Sequence, residues 1–155
     1  MRRARRGARP GSGFTLVELA LTLSIVAILA ALGTVAFRGY LERARLSQVI
    51  VDLRSIDTVL RDFLVAQGRL PDSLTEAGLD GMRDVWGNPY QYLRLDTAPL
   101  GKARKDRFLV PINSDFDLYS MGVDGTSRPP LTAAQSRDDI IRASDGSYYG
   151  PAANY

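Results

Sequence analysis

An α+β fold, in which a long amino-terminal helix carries a small antiparallel sheet, is predicted by three features of this 155-residue sequence. Residues 14–37 are a nearly unbroken apolar run. Residues 38–68 continue with apolar side chains at three- and four-residue spacing, and after Gly68 the chain breaks into short apolar runs separated by Pro, Gly and Asp. The first two features specify one helix, the third strands and turns. A length of 155 residues suits about one domain, and 45% hydrophobic with 24% charged residues is a folded composition.

The sequence contains no cysteine and no histidine. Disulfides, thiolate or imidazole metal sites, Ser-His-Asp and Cys-His nucleophiles, and imidazole proton transfer are therefore excluded. Enzymes built on carboxylates or lysine survive that cut. The formal charge of +3 is not spread evenly, because Arg2, Arg3, Arg5, Arg6 and Arg9 all precede residue 10. Without residues 1–13 the chain has 15 basic and 17 acidic residues, so the excess belongs to a basic leader.

Taken in order, residues 1–13 are that leader and residues 14–37, FTLVELALTLSIVAILAALGTVAF, carry Glu18 as their one charge. A helix of that length spans roughly 36 Å, enough to cross a hydrocarbon core of about 30 Å with some tilt. The arginines would stay cytoplasmic and residues 38–155 would face the other side. A secretory signal peptide fits less well, since the run is long, contains a carboxylate and is not closed by an A-x-A-like site. A carboxylate within a membrane helix costs about 2.5–3.5 kcal/mol at the centre and less toward the edge, so Glu18 either snorkels to the headgroups or has a partner.

Beyond the membrane edge, Leu46, Val49, Ile50, Leu53, Ile56, Leu60, Phe63 and Leu64 form one stripe. Arg45, Asp52, Arg54, Asp57, Arg61 and Asp62 fill the other face. Asp57 and Arg61 stand in the favourable acid-first order four residues apart, and Gly68 with Pro71 supplies a stop. A helix from 14 to 67 would be on the order of 80 Å long. In the head, residues 69–155, three strands are predicted: residues 90–93 after a Gly-Asn-Pro turn, residues 108–112 and residues 116–121, with a solvated hairpin tip over 102–107. There is no internal repeat and no aromatic-interleaved basic pattern, so nucleic acid is not an expected partner.

Gly13-Phe14-Thr15-Leu16-Val17-Glu18, behind an arginine-rich leader and ahead of a full apolar helix, resembles the cleavage and methylation signature of type IV pilins and type II secretion pseudopilins. In the head, Asp84-Val85-Trp86-Gly87-Asn88-Pro89-Tyr90 and Asp117-Leu118-Tyr119-Ser120-Met121-Gly122-Val123-Asp124-Gly125 resemble two segments of the major pseudopilin, with Val85 in place of the usual proline. The resemblance covers most of residues 13–145. It implies a pilin-like fold and cleavage by a prepilin peptidase between Gly13 and Phe14, with N-methylation of Phe14. It also implies assembly through the apolar helix, with Glu18 paired to the amino terminus of a neighbouring Phe14. Many members have a proline near Val35, which this chain lacks.

Asp124-Gly125 opens a polar stretch that closes at Asp138-Asp139. Scattered aspartates and carbonyls can supply the about six to eight oxygens that Ca²⁺ takes. Asp-Gly is equally an ordinary turn, and residues 136–139 could cap a short helix. The pattern is not an EF-hand. The resemblance implies a calcium loop within 121–145, with the carbonyl of Met121 and the carboxylates of Asp124, Asp138 and Asp139 as ligands and Asp145 as a further candidate.

The expected function is structural: a subunit of a periplasmic secretion pseudopilus, lipid-embedded before assembly. Its partners would be its own copies, minor pseudopilins, the prepilin peptidase and an inner-membrane assembly platform. A surface pilus for adhesion, motility or DNA uptake is the alternative. From another class, an anchored enzyme would need an acid pair among Asp115, Asp117, Asp138 and Asp139. No phosphate-binding G-x-x-x-x-G-K-[ST] loop is present.

Overall fold

The computed structural model describes residues 13–99 and 101–155, apart from the side chains of Val35 and Ala36. Except for Gly13, the basic leader lies outside the described residues. Helix α1 runs Leu16–Gln67. The Gly68 N–H donates to the Leu64 carbonyl at 2.8 Å while Gly68 takes a φ of 69°, a left-handed geometry that glycine adopts without a Cβ penalty. The predicted stop therefore acts where expected.

The chain forms two compact units that divide within α1, after Leu41. In the first, every described side chain of residues 14–37 is exposed, and this stretch makes the helix long and apolar enough to cross a membrane. In the second, residues 42–155, the helical stripe meets a sheet. Val49, Leu53, Ile56 and Leu60 are fully buried against Phe116, Leu118 and Ile140. Each such side chain contributes about 1.5–3 kcal/mol by leaving water. The stripe ends earlier than its spacing predicts, for Leu64 is exposed.

The sheet is antiparallel throughout, with β1 (Gln91–Arg94), β2 (Phe116–Ser120), β3 (Ile140–Ala143) and β4 (Tyr148–Pro151) in spatial order β1-β2-β3-β4. Leu93 stands opposite Asp117, Tyr119 opposite Ile141, and Ile141 opposite Gly150. Side-chain alternation sends Phe116, Leu118 and Ile140 to the helix, whereas Ile141 and Ala143 join Ile112, Leu131 and Ala152 in a second cluster. Strand β3 is thus covered on both faces.

Three expectations for the head need correction. Residues 108–112 are not a strand. The turn lies there instead, where the Asp106 carboxylate accepts the N–H groups of Phe108 and Val110 at 2.8 and 2.9 Å and Phe108, Leu109 and Val110 are left exposed. The tip expected over 102–107 is not solvated throughout, since Ala103 and Arg104 are each 2% exposed. Strands β3 and β4 occupy segments expected as loop and tail, so the sheet has four strands where three are predicted.

Asp57 also departs from its predicted solvent face. It is buried, accepting from Arg61 Nε at 2.8 Å and from Arg142 Nε at 2.6 Å. The fully buried Arg142 guanidinium adds a two-pronged contact to Asp115 at 2.9 and 2.7 Å, a bond to the Phe116 carbonyl at 3.0 Å and a stacked approach, 4.0 Å, to the Phe116 ring. Burial opposes its charge, but Asp115 and Asp57 outweigh that and hold its pKa above the ordinary arginine value. One cation on β3 therefore ties the helix to the loop that enters β2.

Candidate functional site

Three places in the chain carry the predicted functional residues. At the amino terminus, Gly13, Phe14 and Thr15 precede the helix and are exposed, so the Gly13–Phe14 bond lies in non-helical, accessible backbone. A Cβ added at Gly13 would meet nothing within 4 Å, so packing among the described residues does not demand glycine there. Thr15 and Glu18 form a reciprocal capping box. The Thr15 N–H and hydroxyl each donate to Glu18 Oε2 at 2.9 Å, and the Glu18 N–H donates to Thr15 Oγ1 at 3.2 Å. Sequence reasoning passed over this use of Glu18, although Thr-x-x-Glu ahead of an apolar run is its signature. Among the described residues the box gives the carboxylate hydrogen-bond donors but no opposite charge.

In the head, the two quoted motifs lock into one another. Asp84 Oδ1 accepts the N–H groups of Trp86 and Asn88 at 3.0 and 2.9 Å, which folds the first motif into its turn, and Asp84 Oδ2 accepts from the Ser120 hydroxyl of the second at 2.6 Å. Asn88 Nδ2 donates to the Gly122 carbonyl at 2.8 Å. Gly125 lies so close that a Cβ there would come within 2.9 Å of Asn88 Oδ1, and its φ of 65° also favours glycine. The aromatic residues of this region pack inward: Tyr90 is buried and its phenol donates to Asp52 Oδ2 at 2.8 Å, while Trp86 and Tyr92 rest against the main core. Burial and the neighbouring Asp52 push the Tyr90 phenol well up.

The third place is the loop between β2 and β3, where the donor set can be compared with what calcium requires. Asp138 Oδ2 accepts the N–H groups of Val123 and Asp124 at 2.8 and 3.1 Å, and Gly122 permits this approach because a Cβ would collide with the Asp138 carbonyl. Asp124 Oδ1 accepts the Thr126 N–H at 2.7 Å. Asp139 is fully buried and ion-paired with Arg104 Nη2, and it also accepts from the Ser127 hydroxyl at 2.6 Å. Burial pushes the Asp139 carboxyl up, with Ser127 and Arg104 pulling the other way. Among the described residues no three acidic side chains converge as a metal cluster. Asp145 lies elsewhere, accepting from the Ser114 N–H at 2.7 Å and hydroxyl at 2.8 Å, which hold its carboxyl below the usual range.

The carboxylates weighed as an acid pair are likewise separately engaged. Asp115 serves Arg142, and Asp117 accepts from Asn113 Nδ2 at 2.9 Å and the Arg104 N–H at 2.6 Å. Burial pushes the Asp117 carboxyl up against those two donors. Arg104 itself lies in a charged stretch that reads as solvent-facing, and only its three-dimensional neighbours reveal its role.

Comparison with known proteins bears on all three places. Residues 9–34 match the family described as the prokaryotic N-terminal methylation motif. The chain is 33% identical over 146 residues to a fimbrial protein of Neisseria meningitidis, covering 92% of this chain and 85% of that protein. It is 29% identical over 140 residues to the type II secretion system core protein G of Aeromonas hydrophila, covering 76% of this chain and 86% of the relative. The core protein G of Pseudomonas aeruginosa is 28% identical over the same length, with 76% and 87% covered. No solved structure matches the chain.

Proposed function

The chain belongs to the family of type IV pilins and type II secretion pseudopilins, structural subunits and not enzymes, and from that premise we propose that it builds a periplasmic type II secretion pseudopilus. The interlock of Asp84 with Ser120 and of Asn88 with Gly122 carries this reading, because it joins the two segments that resemble the major pseudopilin into one packed unit. Alignment with two secretion core proteins along most of their length supports it.

The chemistry follows from the amino terminus. The subunit sits in the inner membrane with residues 1–13 cytoplasmic and the head periplasmic, as the arginine bias directs. Before cleavage the Phe14 nitrogen is an uncharged amide. Hydrolysis of the Gly13–Phe14 bond by a prepilin peptidase turns it into an ammonium, which methylation leaves charged. Among the described residues Glu18 has donors from Thr15 but no counter-charge. A neighbour's Phe14 ammonium supplies one as the helices leave the lipid and pack together, and the cost of an unpaired carboxylate in an apolar fibre core sets the register. Minor pseudopilins begin the fibre, an inner-membrane platform feeds it, and a cytoplasmic ATPase provides the energy.

The alternative, a surface pilus, is supported by the alignment with the fimbrial protein over 92% of this chain. The two separate in the native host. Loss of a pseudopilus subunit leaves exported proteins in the periplasm and the surface unchanged. Long surface fibres made of this chain at native expression, with secretion intact in its absence, contradict the pseudopilus.

A further inference from the structure

We propose that the Arg104 guanidinium takes the place of a divalent cation in closing the loop between β2 and β3, so that the head is stable without calcium. The loop between Gly122 and Asp139 has little apolar surface of its own and needs a positive centre to gather its oxygens. Arg104, 2% exposed, is at that centre. Its Nη1 donates to the Ser127 hydroxyl and, at 2.6 Å, to the Arg128 carbonyl, while Nη2 donates to Asp139 Oδ2. A hydroxyl, a backbone carbonyl and a carboxylate are the oxygen types a hard cation collects, and here a planar fork from a distant segment collects them.

The surroundings are built for that fork. The guanidinium carbon lies 4.3 Å from the centre of the Tyr119 ring, a cation–π approach from the sheet. Backbone bonds hold the segment in place: the Lys105 N–H donates to the Pro129 carbonyl at 2.9 Å, and the Leu131 N–H to the Lys105 carbonyl at 2.8 Å. At the loop's other end Asp138 Oδ2 accepts the Val123 and Asp124 N–H groups, which closes that end without a metal. Asp139 Oδ1 is buried without a hydrogen-bond partner, and a divalent ion placed on it would face the Arg104 charge across the same carboxylate. The inference concerns the head alone and stands whichever fibre the chain builds.

The test is thermal unfolding of the full-length chain in detergent, in EDTA and in millimolar calcium chloride at matched ionic strength. The wild type is expected to melt at the same temperature in both, within about 1 °C, since a ligand of the native state would raise it. Arg104→Ala is expected to melt roughly 10 °C lower, because Asp139 is left buried without its cation. Arg104→Lys keeps the charge, loses the fork and should melt between the two, which carries the test if the alanine variant does not fold. A wild-type melting temperature that rises by several degrees with calcium overturns the proposal. So does an Arg104→Lys chain that melts with the wild type.

Discussion

Arg142→Ala is expected to destabilise the globular unit by about 3–5 kcal/mol, the usual cost of removing one partner from a buried ion pair. Arg142 is fully buried and is the shared donor to Asp57 of α1, Asp115 and the Phe116 carbonyl. Its loss leaves Asp57, itself buried, with only the exposed Arg61, and leaves Asp115 without its two-pronged partner. It also removes the cation from the Phe116 ring in the main core. Denaturant unfolding measures the change. Replacing Asp57 and Arg142 together by apolar residues should recover part of the loss, since what is expensive is the orphaned charge and not the absence of the pair. A single alanine variant as stable as the wild type would mean that the helix is held to the sheet by apolar packing alone.

Glu18→Ala should reduce fibre assembly at least about tenfold, the equivalent of 1.4 kcal/mol per subunit contact, while leaving the melting of residues 42–155 unchanged. The separation is expected because the Glu18 side chain hydrogen-bonds only to Thr15 among the described residues and lies in the other compact unit from the head. Thr15→Ala distinguishes the two uses of the carboxylate. It removes the capping box, worth about 1 kcal/mol of local helix stability, but keeps the negative charge, so assembly should persist. If Thr15→Ala and Glu18→Ala were equally defective, the cap and not the intersubunit charge pair would govern assembly.

The long helix is legible in the sequence because an unbroken apolar run leads straight into an amphipathic stripe and a glycine marks the stop. Strand β2 is legible because Phe116, Leu118 and Ser120 alternate with residues of the other face. Strand β3 is hidden by being covered on both faces. Ile140, Ile141, Arg142 and Ala143 are all buried, so no alternation survives, and a charged residue sits at its centre. The opposite error arises at residues 108–110, where apolar side chains mark an exposed turn that has no partner strand. At the amino terminus, Gly13, Phe14 and Glu18 are legible as a motif, and the pairing of Thr15 with Glu18 is legible from the Thr-x-x-Glu spacing of residues 15–18. In the loop after β2, sequence spacing carries no information about Arg104, which reaches Asp139 from 35 residues away. Long-range ion pairs inside a head this small are properties of the packed sheet.

In the proposed assembly, cleavage creates a charged amino terminus at Phe14 for Glu18 to meet. The most direct measurement is the mass of the amino-terminal peptide of the protein taken from assembled fibres. The predicted peptide begins at Phe14 and carries one methyl group on its nitrogen. A fibre subunit that retains residues of the leader, or begins anywhere else, contradicts the account.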